Sequence, residues 1–232
     1  MDRVFSSSSA FVLLGLAAAD LRQALIFVLC LVVATAFHEF AHAYVADRLG
    51  DPTPGREGRV TLNPLAHADP VGTLALPVIA GLLHLPVFGW GRPVMTQPRY
   101  YTRRFSMRAG MAMVSFAGPL ANLLQAVVAL GVIKLLMVAG VKQPGLLEVL
   151  VTFFMLNVTL AFFNLLPVHP LDGGKILAWM LPTRFAHIDD TLARYGWTIL
   201  LVLMLIPGLL QTLFTPVGYV VAWSLRLIGY GY

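Results

Sequence analysis

The feature that most restricts this chain is a set of apolar runs too long and too numerous for any core surrounded by water. ALIFVLCLVVAT (24–35) reads as membrane interior, and runs of similar character occupy 110–139, 146–166 and 196–230. Over the 232 residues, 58% of side chains are hydrophobic and 12% are charged, about half the charge fraction of a soluble domain. Lipid offers no hydrogen bonds to a spanning backbone, so each span must satisfy its own, and unbroken runs of this length do so as helices. The expectation is an all-α polytopic membrane protein.

The punctuation between the runs organises the chain as a single membrane-embedded domain over 1–232. A helix is expected over 21–49, ending at Gly50 with Asp51-Pro52 and Pro54-Gly55 as stop signals. At ~1.5 Å per residue it would reach ~43 Å, longer than the ~30 Å hydrocarbon layer. Residues 1–20 leave three readings open: a short span, an interfacial segment, or a signal peptide cleaved near Ala17-Ala18-Ala19. Residues 56–91 read as loop and re-entrant segment. Its first part, 56–70, is polar and turn-rich. Its second, VGTLALPVIAGLLHLPVFGWG (71–91), is apolar but broken by prolines, glycines and His84, which suits a re-entrant strand or loop buried by protein better than a helix. Core helices are expected within 110–185, the first entered through Gly118-Pro119 and a short one at 174–181. A polar loop then runs to about 194. The C-terminal part, 195–232, supplies one or two spans broken at Pro207-Gly208 and Pro216. The expected total is about 5–6 transmembrane helices with a small re-entrant β or loop element.

Charge sets the orientation. The net charge is +5, and eight arginines lie between 47 and 108, with Lys175, Arg184 and Arg194 in the later polar stretch. Basic loops beside apolar spans follow the positive-inside tendency, so both stretches are expected on the cytoplasmic side, and nucleic-acid binding is set aside. The C-terminal ends of the 21–49 and 146–166 helices then converge. The single cysteine, Cys30, lies in an apolar run and reads as a small buried hydrophobe.

At that end of the first helix stands HEFAH (38–42), an HExxH pattern. Residues four apart share a helix face, so His38 and His42 can hold one metal ion while Glu39 reaches a water bound to it. Zinc suits this donor set, and Glu39 is then placed as the general base for hydrolysis of a carbonyl compound. Ionisable groups at membrane depth are costly, which argues against a chance match. A third ligand is needed. Asp47 lies about 140° around the helix from His42 and is badly placed. Asp172, in PLDGG, follows the helix that ends on the same side, and is the best candidate by topology. It is equally a natural N-cap for the helix KILAWML begins, so ligand and cap both stand.

HEFAHAYVADRLGDP, GRVTLNPLAHADPVGTL, FGWGRPV, AGPLAN and FNLLPVHPLDGGKIL, in this order and spacing, resemble the site-2 protease family, in its short form without PDZ or CBS domains. The resemblance runs from about 30 to 185. It implies an intramembrane zinc metalloprotease with a three-helix core, His38, His42 and Asp172 as zinc ligands, and Glu39 as base. It also implies that Asn164 sits near the zinc and helps hold the substrate carbonyl or its oxyanion; the alternative for Asn164 is an interhelical hydrogen bond. Asn122, in GPLAN, approaches the site or serves helix packing. His169 departs from the family's usual small or apolar residue, and is expected to face cytoplasmic water rather than bond Asp172 or the metal. Asn63, His67 and Asp69 are expected to form turns.

The expected partners are a transmembrane protein substrate and the lipid bilayer, in a cell membrane. A helical substrate must unwind to expose a peptide bond, and the 59–91 segment is expected to pair with it as an added strand. Two other classes compete: a metal-binding transporter or assembly factor, and a catalytically silent scaffold for membrane helices. Glu39 separates them from an enzyme, since a transporter needs ligands but no base between them. Neither the substrate nor the oligomeric state is written in the sequence.

Overall fold

The computed structural model describes residues 21–76, 78–79, 91–206 and 208–230. Three helices are long and apolar enough to cross a membrane: α1 (Leu21–Arg48), α4 (Met107–Val138) and α5 (Pro144–Asn164). Between α1 and α4 lie two single-turn helices, α2 (Thr53–Arg56) and α3 (Pro64–His67). After α5 come α6 (Asp172–Met180), α7 (Ala186–Leu205) and α8 (Leu209–Leu227). The described residues are helical with no strand, as the composition led one to expect.

The three spanning helices pack on one another. The buried face of α4 carries Gly110, Ser115, Gly118, Asn122, Ala126 and Ala129, at helical spacing. Small side chains at this spacing let backbones approach, and close packing replaces the hydrophobic drive that lipid cannot supply. Phe27, Cys30, Leu31 and Ala34 of α1 close on Leu156 of α5, while Ala126, Ala129 and Phe154 close on Phe214, Val217 and Val221 of α8. Large apolar side chains remain on the outside, among them Leu29, Val127, Trp197 and Trp223, each at least 60% exposed. In water such a surface would drive aggregation; in lipid it is the ordinary exterior of a bundle.

Some boundaries depart from the sequence reading. Pro119 lies inside α4, not at its entrance, because the helix begins at Met107 behind Ser106, whose hydroxyl accepts the Ala109 N–H at 3.1 Å. Pro216 lies inside α8 in the same way, whereas the break at Gly208 holds, with φ 79°. Neighbouring helices can shield the backbone group a proline leaves free. The stretch to 194 expected as a polar loop is already helix, since α7 starts at Ala186. The apolar segment after Asp69 opens as a turn of π-helix, Pro70–Ala75, where a strand or loop was expected. The Asp69 carboxylate accepts the Val71 and Gly72 N–H groups at 2.9 and 2.7 Å, which commits the chain to a helical turn. Residues 77 and 80–90 with His84, and the N-terminal 1–20, lie outside the described residues.

A strap over 91–102 lies across the C-terminal end of α1. The Arg92 N–H donates to the His67 carbonyl at 2.8 Å and the Thr102 N–H to the Leu49 carbonyl at 2.6 Å. Buried Asp51 accepts from the N–H groups of Thr53 and Gln97. The Arg59 guanidinium donates to the carbonyls of Ala66, Arg92 (2.6 Å) and Pro93 (2.8 Å), joining the 59–67 loop to the strap.

Candidate metal centre

His38 and His42 project from one face of α1 with ring centroids 4.6 Å apart. What lets them do so inside a packed bundle is Gly118 on α4: a Cβ there would fall 2.4 Å from His42 Nε2 and 2.6 Å from His38 Cε1. The hydrogen atom of glycine leaves the histidine pair its space. From the other side, α6 begins tightly against the end of α5, where a Cβ on Gly173 would lie 2.3 Å from the carbonyl oxygens of Leu165 and Leu166. That close approach brings Asp172 under α1.

The cap reading of Asp172 does not hold. The N-cap position of α6 is Leu171, and Asp172 is the first helical residue. Its carboxylate turns to the imidazoles, with Oδ2 3.3 Å from His38 Nε2 and 3.2 Å from His42 Nε2. The two Nε2 atoms are 3.0 Å apart. His42 Nδ1 lies 2.7 Å from the Val114 carbonyl, which can only accept, so Nδ1 carries the proton and Nε2 presents a lone pair. His38 Nδ1 lies 2.6 Å from Asn122 Oδ1.

Three electron-rich atoms therefore face one another where His38, His42 and Asp172 are each under 10% exposed. A buried arrangement of this kind is costly unless a cation sits among the donors. The size of the triangle agrees: tetrahedral zinc with bonds of about 2.0–2.1 Å sets its ligand atoms about 3.3–3.4 Å apart, against the 3.0, 3.2 and 3.3 Å measured. The donor set fits zinc in type, number and spacing.

Glu39 stands beside this triangle, with ligand atoms of His38, Glu39 and His42 all within 4.8 Å of one another. One of its oxygens, Oε2, accepts the Val94 N–H of the strap at 3.0 Å. The strap is in turn held by Arg59, whose guanidinium is drawn below the ordinary arginine range by burial and by Arg92. Neither Val94 nor Arg59 was singled out by the sequence, since a backbone donor and a loop arginine carry no local pattern.

The remaining sequence candidates are placed as follows. Asn164 is the last residue of α5, and its Nδ2 donates to the Leu160 carbonyl at 3.0 Å, within its own helix. Asn122 is fully buried and belongs to the site through His38. His169 pairs with Asp189 of α7 at 2.9 Å, tying the loop before Asp172 to that helix, where water was expected as its partner. Asn63 caps α3 by accepting the Leu65 N–H, and buried His67 bonds the Thr61 carbonyl at 2.8 Å, both local loop roles. Asn157, which the sequence reading passed over, is fully buried and bonds Asn122. An amide in the middle of an apolar run was the available signal.

Comparison with known proteins agrees with this chemistry. The pattern of Peptidase family M50 matches residues 131–207, a stretch that contains Asn164 and Asp172. A protein of Bacillus subtilis named "Putative zinc metalloprotease YwhC" is 34% identical over 207 residues, covering 87% of this chain and 86% of its own length. "Putative zinc metalloprotease Rip2" of Mycolicibacterium smegmatis is 33% identical over 180 residues, 74% of this chain and 63% of that one. Its namesake in Mycobacterium tuberculosis H37Rv is 32% identical over 181 residues, 77% and 66%. No solved structure matches the chain. Similarity that runs nearly end to end with the Bacillus protein, joined to the family pattern through the Asp172 loop, means that the chain belongs to Peptidase family M50, the site-2 protease family.

Proposed function

We propose that the chain is a single-domain intramembrane zinc endopeptidase in which His38, His42 and Asp172 hold the metal and Glu39 is the general base. Membership of Peptidase family M50 carries the activity and the metal. The observation that supports the residue roles is the triangle of Nε2, Nε2 and Oδ2 atoms with edges of 3.0–3.3 Å and a carboxylate beside it.

Bound zinc supplies a Lewis acid that lowers the pKa of its water toward neutrality. Glu39 would take a proton from the attacking water and return it to the departing amine. The Val94 N–H fixes one oxygen of Glu39, so the other is the one directed to proton transfer. Asn164 has a second amide proton beyond the one given to Leu160, and it is assigned to the oxyanion that develops on the substrate carbonyl. The substrate is a transmembrane segment of another protein. Its carbonyls are engaged in i to i+4 bonds, so it opens locally before cleavage. The arginine-rich strap and the Lys175 end of the bundle face the cytoplasm, which puts the site on that side of a cell membrane.

The test is Glu39→Gln, which keeps the size of the side chain and removes the base. Zinc content should be unchanged while cleavage of a model membrane substrate falls by several orders of magnitude. Cleavage at the wild-type rate would sink the assigned mechanism.

A further inference from the structure

The metal-facing state of His38 depends on which of its ring nitrogens carries the proton, and that is decided away from the metal. We infer that Asn157, in the middle of α5, is a positioning residue for zinc, acting on His38 through Asn122. The inference rests on His38 being a zinc ligand.

The chain of bonds has one direction. Asn157 Nδ2 lies 2.9 Å from the Phe153 carbonyl, which can only accept, so the amino end of this amide points there. Asn157 Oδ1 is left to accept, and Asn122 Nδ2 donates to it at 2.9 Å. The Ala34 carbonyl, 3.4 Å away, is a second and longer acceptor for the same amino group. Asn122 Oδ1 is then an acceptor in its turn, 2.6 Å from His38 Nδ1. His38 must donate from Nδ1, and its Nε2 lone pair is left for the metal. Reversing any amide would bring two acceptors or two donors face to face at a fully buried position, where the loss is not made good by water.

His42 reaches the same tautomer by one bond to a backbone carbonyl. His38 has a side chain in that place, and a side-chain amide can turn over. Asn157 is the shorter of the two contacts that keep it from turning, the Ala34 carbonyl being the longer, and the backbone of α5 is the fixed end of the relay. The relay crosses all three spanning helices, so the third helix reaches His38 from its middle.

The test measures zinc affinity of purified full-length protein by competition with a chelator. Asn157→Leu frees the Asn122 amide and should weaken zinc binding about 10- to 100-fold, the usual range for a partner that orients a ligating histidine. Thr159→Val, which removes a buried hydroxyl bonded only to Met155 of the same helix, should leave affinity within twofold. The decisive arm is Asn122→Asp, because either oxygen of a carboxylate accepts from His38, while the other is left facing Asn157 Oδ1, acceptor to acceptor, a clash that Asn157→Leu removes. In that background Asn157→Leu should cause no further loss. Equal losses in both backgrounds, or no loss in either, would overturn the relay. If the leucine variant fails to fold, 15N resonances of histidine in the zinc-free wild type still decide: the proton of His38 belongs on Nδ1 before any metal is bound, and a proton on Nε2 refutes the inference. His38→Ala separates the premise from the inference, since zinc held at wild-type affinity by that variant would remove His38 from the metal altogether.

Discussion

Gly118→Ala adds one methyl group at the point where α4 meets the two histidines. The new Cβ would lie 2.4 Å from His42 Nε2, 2.5 Å from its Cε1 and 2.6 Å from His38 Cε1, where ordinary contact begins at 3.4 Å. Relieving this requires movement of roughly 1 Å, several times the ~0.2 Å tolerance of a zinc–ligand distance. Overpacking of this kind costs about 1–3 kcal/mol. Taken up by the imidazoles, it weakens zinc binding about 5- to 150-fold, at 1.4 kcal/mol per factor of ten. The assay is zinc competition with a chelator in detergent, beside thermal unfolding of the same samples. Gly131→Ala is the matched control, because nothing lies within 4 Å of a Cβ on that glycine of the same helix. It should leave zinc binding unchanged. Wild-type zinc affinity in Gly118→Ala would refute the claim that this glycine makes room for the ligand pair.

Other outcomes follow from the strap, the charges and the substrate. Arg59→Met removes a guanidinium that donates to three carbonyls, freeing the strap from the loop and the Val94 N–H from Glu39; cleavage should fall at least tenfold with zinc content unchanged. Cysteines placed at Arg56, Arg103 and Arg184 in a Cys30→Ser background should all label from the cytoplasmic side, and labelling of the three from opposite faces would break the proposed orientation. A substrate span carrying a central Asn-Gly-Pro should be cleaved at least about tenfold faster than one of leucine and alanine, because glycine and proline lower helix stability by about 1 and 3 kcal/mol relative to alanine. Equal rates would show that opening the substrate helix does not limit cleavage.

Much of the centre was legible because its chemistry is written in short patterns. HExxH sets two imidazoles four residues apart on one helix face with a carboxylate between them, and Gly50, at φ 103°, ends that helix where the sequence placed the stop. Asp172 was legible by topology but ambiguous with a cap, and only the packing of Gly173 against Leu165 and Leu166 decides which way its carboxylate points. His169 was misjudged because its partner, Asp189, belongs to a stretch read as loop that is helix in the structure. Where a re-entrant strand or loop was expected over 71–91, its described start, Pro70–Ala75, is a turn of π-helix capped by Asp69 on Val71 and Gly72, a side-chain effect that outweighs the bias of a proline- and glycine-broken run there. Pro119 looked like an entrance because proline ends helices in water; packed among α1 and α5, it does not. Asn157, Arg59 and Val94 act through partners 30 or more residues away, and spacing along the chain says nothing about them.

Zinc stoichiometry across five purified proteins tests the central claim most directly. Wild type and Glu39→Gln should each hold about one zinc per chain, while His38→Ala, His42→Ala and Asp172→Ala should hold none after dialysis against a chelator, as a site reduced to two donors cannot keep a metal that needs three. Full zinc occupancy in Asp172→Ala would contradict the account, removing that carboxylate from the metal and with it the reason for α6 to lie beneath α1.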